Sequence, residues 1–114
     1  MTILHIAHLA NWQAAQTRGH YTVESLTTEG FIHCSHPSQV LGVAERYYTP
    51  WPGPLLLLTI DPARLTAPLR NELATNNEAF PHIYGPLNLD AVLRADAFAP
   101  NAIGRYTLPP HLTP

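Results

Sequence analysis

Two short segments far apart in the chain repeat one order of side chains: Phe31-Ile32-His33-Cys34-Ser35 and Phe80-Pro81-His82-Ile83-Tyr84. Both run aromatic, any residue, histidine, any residue, hydroxyl. In an extended strand alternate side chains share a face, so Phe31, His33 and Ser35 point one way, as do Phe80, His82 and Tyr84. Ile32 and Cys34 then turn toward the core, where Cys34 reads as a small buried hydrophobe rather than a nucleophile. An imidazole titrates near neutrality, so it moves protons or holds a ligand's polar atoms. If the two polar faces meet, two imidazoles, two hydroxyls and aromatic walls enclose a small-molecule pocket of the ordinary kind, mostly apolar with a few convergent polar groups. His33 and His82 are the candidate catalytic residues.

Each of these positions also has a structural reading. A histidine on a half-buried strand is often held only by hydrogen bonds. Ser35 is equally suited to cap the helix that follows, and Tyr84 to sit in the core with its hydroxyl satisfied. His5 shares a strand face with Ile3 and Ala7 and either joins the pocket or stays a core histidine. Glu72 either orients a substrate hydroxyl or an imidazole, or is a surface charge. His5, His33 and His82 make a conceivable three-histidine metal set, but no spacing such as H-x-x-x-H on a helix supports it. A G-x-S-x-G elbow, a G-x-G-x-x-G turn and a P-loop are all missing from the sequence, which removes the usual hydrolase, dinucleotide and triphosphate signatures.

The 114 residues suffice for one domain with one real core. Charged residues make up 12% of the chain against 46% hydrophobic, the opposite of a disordered balance. The six basic residues are all Arg, and they are scattered (Arg18, Arg46, Arg64, Arg70, Arg94, Arg105). With a net charge of -2 this disfavours broad nucleic-acid binding, which needs a clustered basic face. One Arg can still grip a small anion with its forked donors. Cys34 is the only cysteine, so no internal disulfide forms. No apolar run is long enough to span a membrane, and the first residues lack a cationic leader; a cytoplasmic location is the expectation.

The elements that must position these residues follow from periodicity and punctuation. Thr2 to His8, apolar on both faces, predicts a central strand. A helix is expected from Asn11, as N-cap, to Gly19, and an irregular loop from His20 to Glu29. Phe31 to Ser35 is a strand. A helix then opens at Pro37 with Ser35 or His36 as cap; with His36, Gln39 takes the capping-box position. Val40, Val43, Ala44, Tyr47 and Tyr48 form its buried stripe. Leu55 to Ile60 predicts a fully buried strand, and Asp61-Pro62 a capped turn. An edge strand is expected within Leu65–Glu72, a loop from Leu73 to Ala79, and strands at Phe80–Tyr84 and Ala91–Phe98. The fold class is α+β, a single domain over residues 1–98 with small antiparallel or mixed sheets and two main helices. Residues 99–114 read as a Pro-rich tail packed on that domain or extending from it. The Pro-flanked Trp51 turn and this tail also suit a protein-interaction surface.

Gly30-Phe31-Ile32-His33-Cys34-Ser35 with Gln39, and Phe80-Pro81-His82-Ile83-Tyr84-Gly85-Pro86-Leu87, resemble the signature of the bacterial "domain of unknown function 952" family. Trp12, the Leu55–Asp61 strand and turn, and Glu72 fit the same pattern, and the resemblance runs from about Ile3 to Phe98. It implies an α+β fold similar to the ADP-ribosyltransferase-like group, which binds NAD or an ADP-ribosylated intermediate in a cleft between two small sheets. It also implies a ligand-binding set of His5, Ser35, Gln39, Glu72 and Tyr84 around His33 and His82. Tyr84 would stack on nicotinamide or adenine. In the toxin-like members of that group a first-strand His, a Tyr and a late Glu carry the chemistry; this sequence offers His5 on its first strand, and no Glu sits in a clear late strand, so that triad is not intact. NAD is thus the implied cofactor, a small molecule or nucleotide the implied partner, and transferase activity the implied function. The alternative is a non-catalytic protein that binds a small metabolite.

Overall fold

The computed structural model describes residues 1–112. Its frame is the antiparallel pair of β1 (Ile3–His8) and β4 (Leu55–Ile60), with β8 (Val92–Ala97) on the other side of β4. The long apolar run Leu55–Ile60 is therefore the central strand, as its burial on both faces requires. β1, expected to be central, stands beside it instead. Its outer edge is closed locally: Leu4 and Ser35 exchange backbone hydrogen bonds of 2.8 Å. That bridge joins the first sheet to a second, in which β3 (Ile32–His33) and β5 (Leu69–Leu73) flank β6 (Ala79–Ile83), all antiparallel. A third, two-stranded sheet pairs β2 (His20–Tyr21) with β7 (Leu87–Asn88).

The helices follow the strand ends. α1 (Leu9–Arg18) begins directly where β1 stops, two residues before the expected Asn11 cap. The Leu9 amide is satisfied by the Pro54 carbonyl at 3.1 Å, so no side-chain cap is needed. Gly19 ends α1 in the left-handed region at φ 93°, where glycine has no steric penalty. The stretch expected to be an irregular loop holds β2 and a short helix, α2 (Glu24–Thr28). α3 (Val40–Tyr47) starts after a turn at residues 37–39, and the Gln39 side chain accepts from the His36 amide at 2.9 Å, the reach-back bond of a capping box. Val40 and Ala44 are buried in its stripe, but Tyr47 is 69% exposed, because the last turn runs past the sheet it covers.

Two clusters of buried side chains form the core. One gathers Ile3, Tyr21, Ile32, Leu58, Ile60, Ile83 and Leu87 between the sheets; the other sets Leu4, Ile6, Leu55 and Leu57 against α3 and the chain end. Phe98 and Tyr106 are buried in the second cluster, and Leu108 and Leu112 pack on it, so residues 99–112 wrap the body; residues 113 and 114 lie outside the described residues. Among the described residues no helix is long and apolar enough to cross a membrane.

Candidate functional site

The outer face of the second sheet carries the histidines. Its register aligns His33 with His82 and His82 with Arg70, one row across β3, β6 and β5. Side-chain alternation puts Ile32, Pro81 and Ile83 into the core and His33, His82, Arg70 and Glu72 on the opposite face. The two segments thus lie side by side in one sheet rather than facing each other across a hollow. The rings of His33 and His82 stand edge to face, 5.4 Å apart. Phe31 lies over His82, stacked at 3.9 Å, and touches His33 and Tyr84 as well.

Each imidazole is oriented by a carboxylate. His82 donates from Nδ1 to Glu72 Oε1 at 2.8 Å, which leaves its Nε2 as the acceptor of the neutral ring. The Tyr84 hydroxyl donates to the same Glu72 oxygen. His33 donates from Nε2 to Glu29 Oε2 at 2.9 Å. His33 Nδ1 and His82 Nε2 make no hydrogen bond among the described residues. The bonds from Tyr84 and His82 hold the Glu72 carboxyl below its ordinary value, and the bond to Glu72 raises the Tyr84 hydroxyl above its own. The guanidinium of Arg70 lies over the Tyr84 ring, 4.8 Å from its centre, and carries no ion pair among the described residues. Arg70, two imidazoles with one unbonded ring nitrogen each, and the rings of Phe31 and Tyr84 share this face.

The remaining expected site residues support this surface from below or from the side. His5 is buried at 6% exposure. It donates from Nδ1 to the His33 carbonyl at 2.6 Å and accepts at Nε2 from the Tyr21 hydroxyl at 2.8 Å. It therefore pins β3 to β1 with a neutral ring, and burial lowers its pKa to about 4. His5 faces the core while His33 and His82 face outward, and no group of three His, Cys, Asp or Glu among the described residues is arranged to hold a metal. Ser35 is buried and works through its backbone bridge to Leu4. Gln39 donates to the Ala79 carbonyl at 2.8 Å and to Glu78 Oε2 at 3.1 Å, tying the start of α3 to the start of β6. Cys34 is buried, and burial pushes its thiol up.

Phe31, Glu29 and Arg70 were not among the expected site residues. Phe31 opens the repeated pattern and was legible there as an aromatic wall. Arg70 precedes Glu72 by two on an alternating strand, and its place beside His82 depends on the β5–β6 register. Glu29 falls in the stretch expected to be a loop, where α2 turns it back under His33.

Depressions open on the surface. One, of about 360 Å³, is lined by Tyr84 together with His20, Thr66, Pro68, Gly85 and Asn88. Another, of about 720 Å³, lies between α1 and α2 and holds none of the expected site residues.

Comparison with known proteins places this geometry in a family. The family described as "Protein of unknown function (DUF952)" matches residues 6–95, and the chain belongs to it. The crystal structure of protein CC0527 from Caulobacter crescentus is similar at 29% identity, with a TM-score of 0.86 over 98% of each chain. The solution structure of CC0527 is similar at 29% identity and TM-score 0.81, over 96% of this chain and 95% of that one. A search of curated proteins finds no match. These likenesses support a small α+β domain with three antiparallel sheets; the finer ADP-ribosyltransferase-like expectation goes beyond them.

Proposed function

We propose that this DUF952-family chain binds a nucleotide-class anion, NAD or ADP-ribose, across the row His33–His82–Arg70, and acts on it as an ADP-ribosyltransferase-like transferase. The observation that carries the reading is the row itself: an unpaired guanidinium and two imidazoles, each with one ring nitrogen free, on one face. Arg70 holds the pyrophosphate oxygens through charge-assisted hydrogen bonds, and His33 accepts from a ribose hydroxyl at Nδ1. The base stacks on Tyr84, whose ring Arg70 covers until the phosphates draw the guanidinium away. In the transfer the ribose C1′–N bond of NAD breaks, and its electron pair leaves on neutral nicotinamide. C1′ bonds to an acceptor hydroxyl oxygen, whose proton passes to neutral His82 at Nε2. Glu72 positions that imidazole by fixing its tautomer.

Calorimetric titration with NAD, ADP-ribose and inorganic phosphate tests the binding. Both nucleotides are expected to bind, and Arg70→Gln to weaken them about tenfold or more, the loss of one charged hydrogen-bonding group. No heat at millimolar ligand overturns the proposal. A second reading, a non-catalytic metabolite binder, is favoured by one observation: Glu72 and Glu29, the carboxylates at the cluster, are both already committed to histidines. Release of nicotinamide from NAD by the wild type, lost in His82→Gln, rejects it.

A further inference from the structure

We propose that the outer edge of β5 pairs with β5 of a second copy of this chain, antiparallel and centred on Asn71, to make a symmetric dimer with a continuous six-stranded sheet. The pairing needs no ligand. β5 is a terminal strand of its sheet, and all five of its residues, Leu69-Arg70-Asn71-Glu72-Leu73, are in regular register with β6. The Tyr84 amide donates to the Pro68 carbonyl and the Ala74 amide to the Glu78 carbonyl. Antiparallel strands alternate inward and outward backbone groups, so positions 68, 70, 72 and 74 face β6, and Leu69, Asn71 and Leu73 turn their amides and carbonyls outward. None of those three backbones has a hydrogen-bond partner among the described residues.

The sequence of this edge is complementary to itself. A two-fold axis through Asn71 sets Leu69 opposite the partner's Leu73, Arg70 opposite the partner's Glu72, and Asn71 opposite the partner's Asn71. Three hydrogen-bonded residue pairs then form, and the opposite charges and the two leucines make favourable cross-strand neighbours. Leu73, 69% exposed at the end of the edge, gains an apolar partner. The usual guards against such pairing, an edge proline, lysine or bulge, are missing from β5. They are not missing elsewhere: β8, at the end of the first sheet, is paired through an irregularity next to Val92, and β1 is closed by Ser35. The pairing lays the two His33–His82 clusters on one extended face, with Arg70 and Glu72 of both chains between them.

Sedimentation equilibrium across about 10 μM to about 1 mM, the range in which a small interface associates, tests the dimer. The expected mass rises from that of one chain, 12.6 kDa, toward about twice that value. Leu73→Lys, at an exposed position that leaves folding intact, is expected to keep the protein monomeric. Arg70→Glu alone and Glu72→Arg alone each set like charges opposite one another and dissociate, while an equimolar mixture of the two restores opposite charges in both rows and forms a heterodimer. A wild type that stays at one chain's mass throughout overturns the proposal. So does a dimer that survives Leu73→Lys, or a mixture that fails to form the heterodimer.

Discussion

Glu72 serves two donors with one oxygen, and His5 serves two partners from inside the core. The roles differ because of water. Glu72 is half exposed, so its loss is expected to disturb orientation more than stability. In Glu72→Gln the side-chain amide can still meet Tyr84, but the carboxylate that selects the Nδ1–H tautomer of His82 is gone. ¹⁵N spectra of the ring should then show His82 moving toward the Nε2–H form, with His33 unchanged. His5 is buried, and its charged form has no water to solvate it. Its folded pKa of about 4 lies below the ordinary 6.5, so the unfolded chain binds the proton more readily. The stabilisation is fully present above about pH 6.5 and is lost as pH falls toward 4. The full difference is worth about 3 kcal/mol. Urea unfolding between pH 7 and pH 4 should show most of this loss in the wild type and little of it in His5→Gln.

The elements that carry the site meet where Gly85 leaves β6. Its φ of 156° is one that side-chain-bearing residues rarely adopt, and an added Cβ would stand 2.9 Å from the Cβ of Ala67. Gly85→Ala should cost about 1–3 kcal/mol in thermal or urea unfolding, with part recovered by Ala67→Gly in the same chain. Strands of this kind were legible where the pattern was local. The alternation of Phe31-His33 and Phe80-His82-Tyr84 put both imidazoles on outward faces, and Leu55–Ile60 announced its own burial. What was not legible depended on pairing. β2 and β7 are two residues each and exist as strands only because they find one another. Arg70 acquired its place beside His82 from the β5–β6 register, and β1 stands at the end of its sheet with only the Leu4–Ser35 bridge on its outer side. Asn11 looked like a cap, but the Pro54 carbonyl, distant in sequence, took the amide that starts α1.

Across the whole molecule, the two core clusters divide the labour. The cluster between the sheets holds the histidine-bearing sheet in place, through Ile32, Ile83 and the His5 bonds beneath His33. The other cluster is completed by the chain end: Tyr106 is buried against Phe98, and its hydroxyl donates to the Tyr48 carbonyl at 2.6 Å. Tyr106→Phe should cost about 1 kcal/mol, one hydrogen bond, while Tyr106→Ala should cost about 3 kcal/mol or more, because a buried ring leaves a cavity. Both are measured by urea unfolding. Neither is expected to change ligand affinity once the protein is folded, since the tail lies on the far side of β1 and β4 from the His33–His82 face.

The central claim is that the His33–His82–Arg70 row is where a nucleotide-class anion binds. Amide and imidazole chemical shifts of the labelled protein, followed as ADP-ribose is added, test it directly. The account predicts saturable shifts at Phe31, His33, Arg70, His82 and Tyr84, with His5 and the α1–α2 depression still. Shifts that gather between α1 and α2, or a spectrum unmoved at millimolar ADP-ribose, would contradict it.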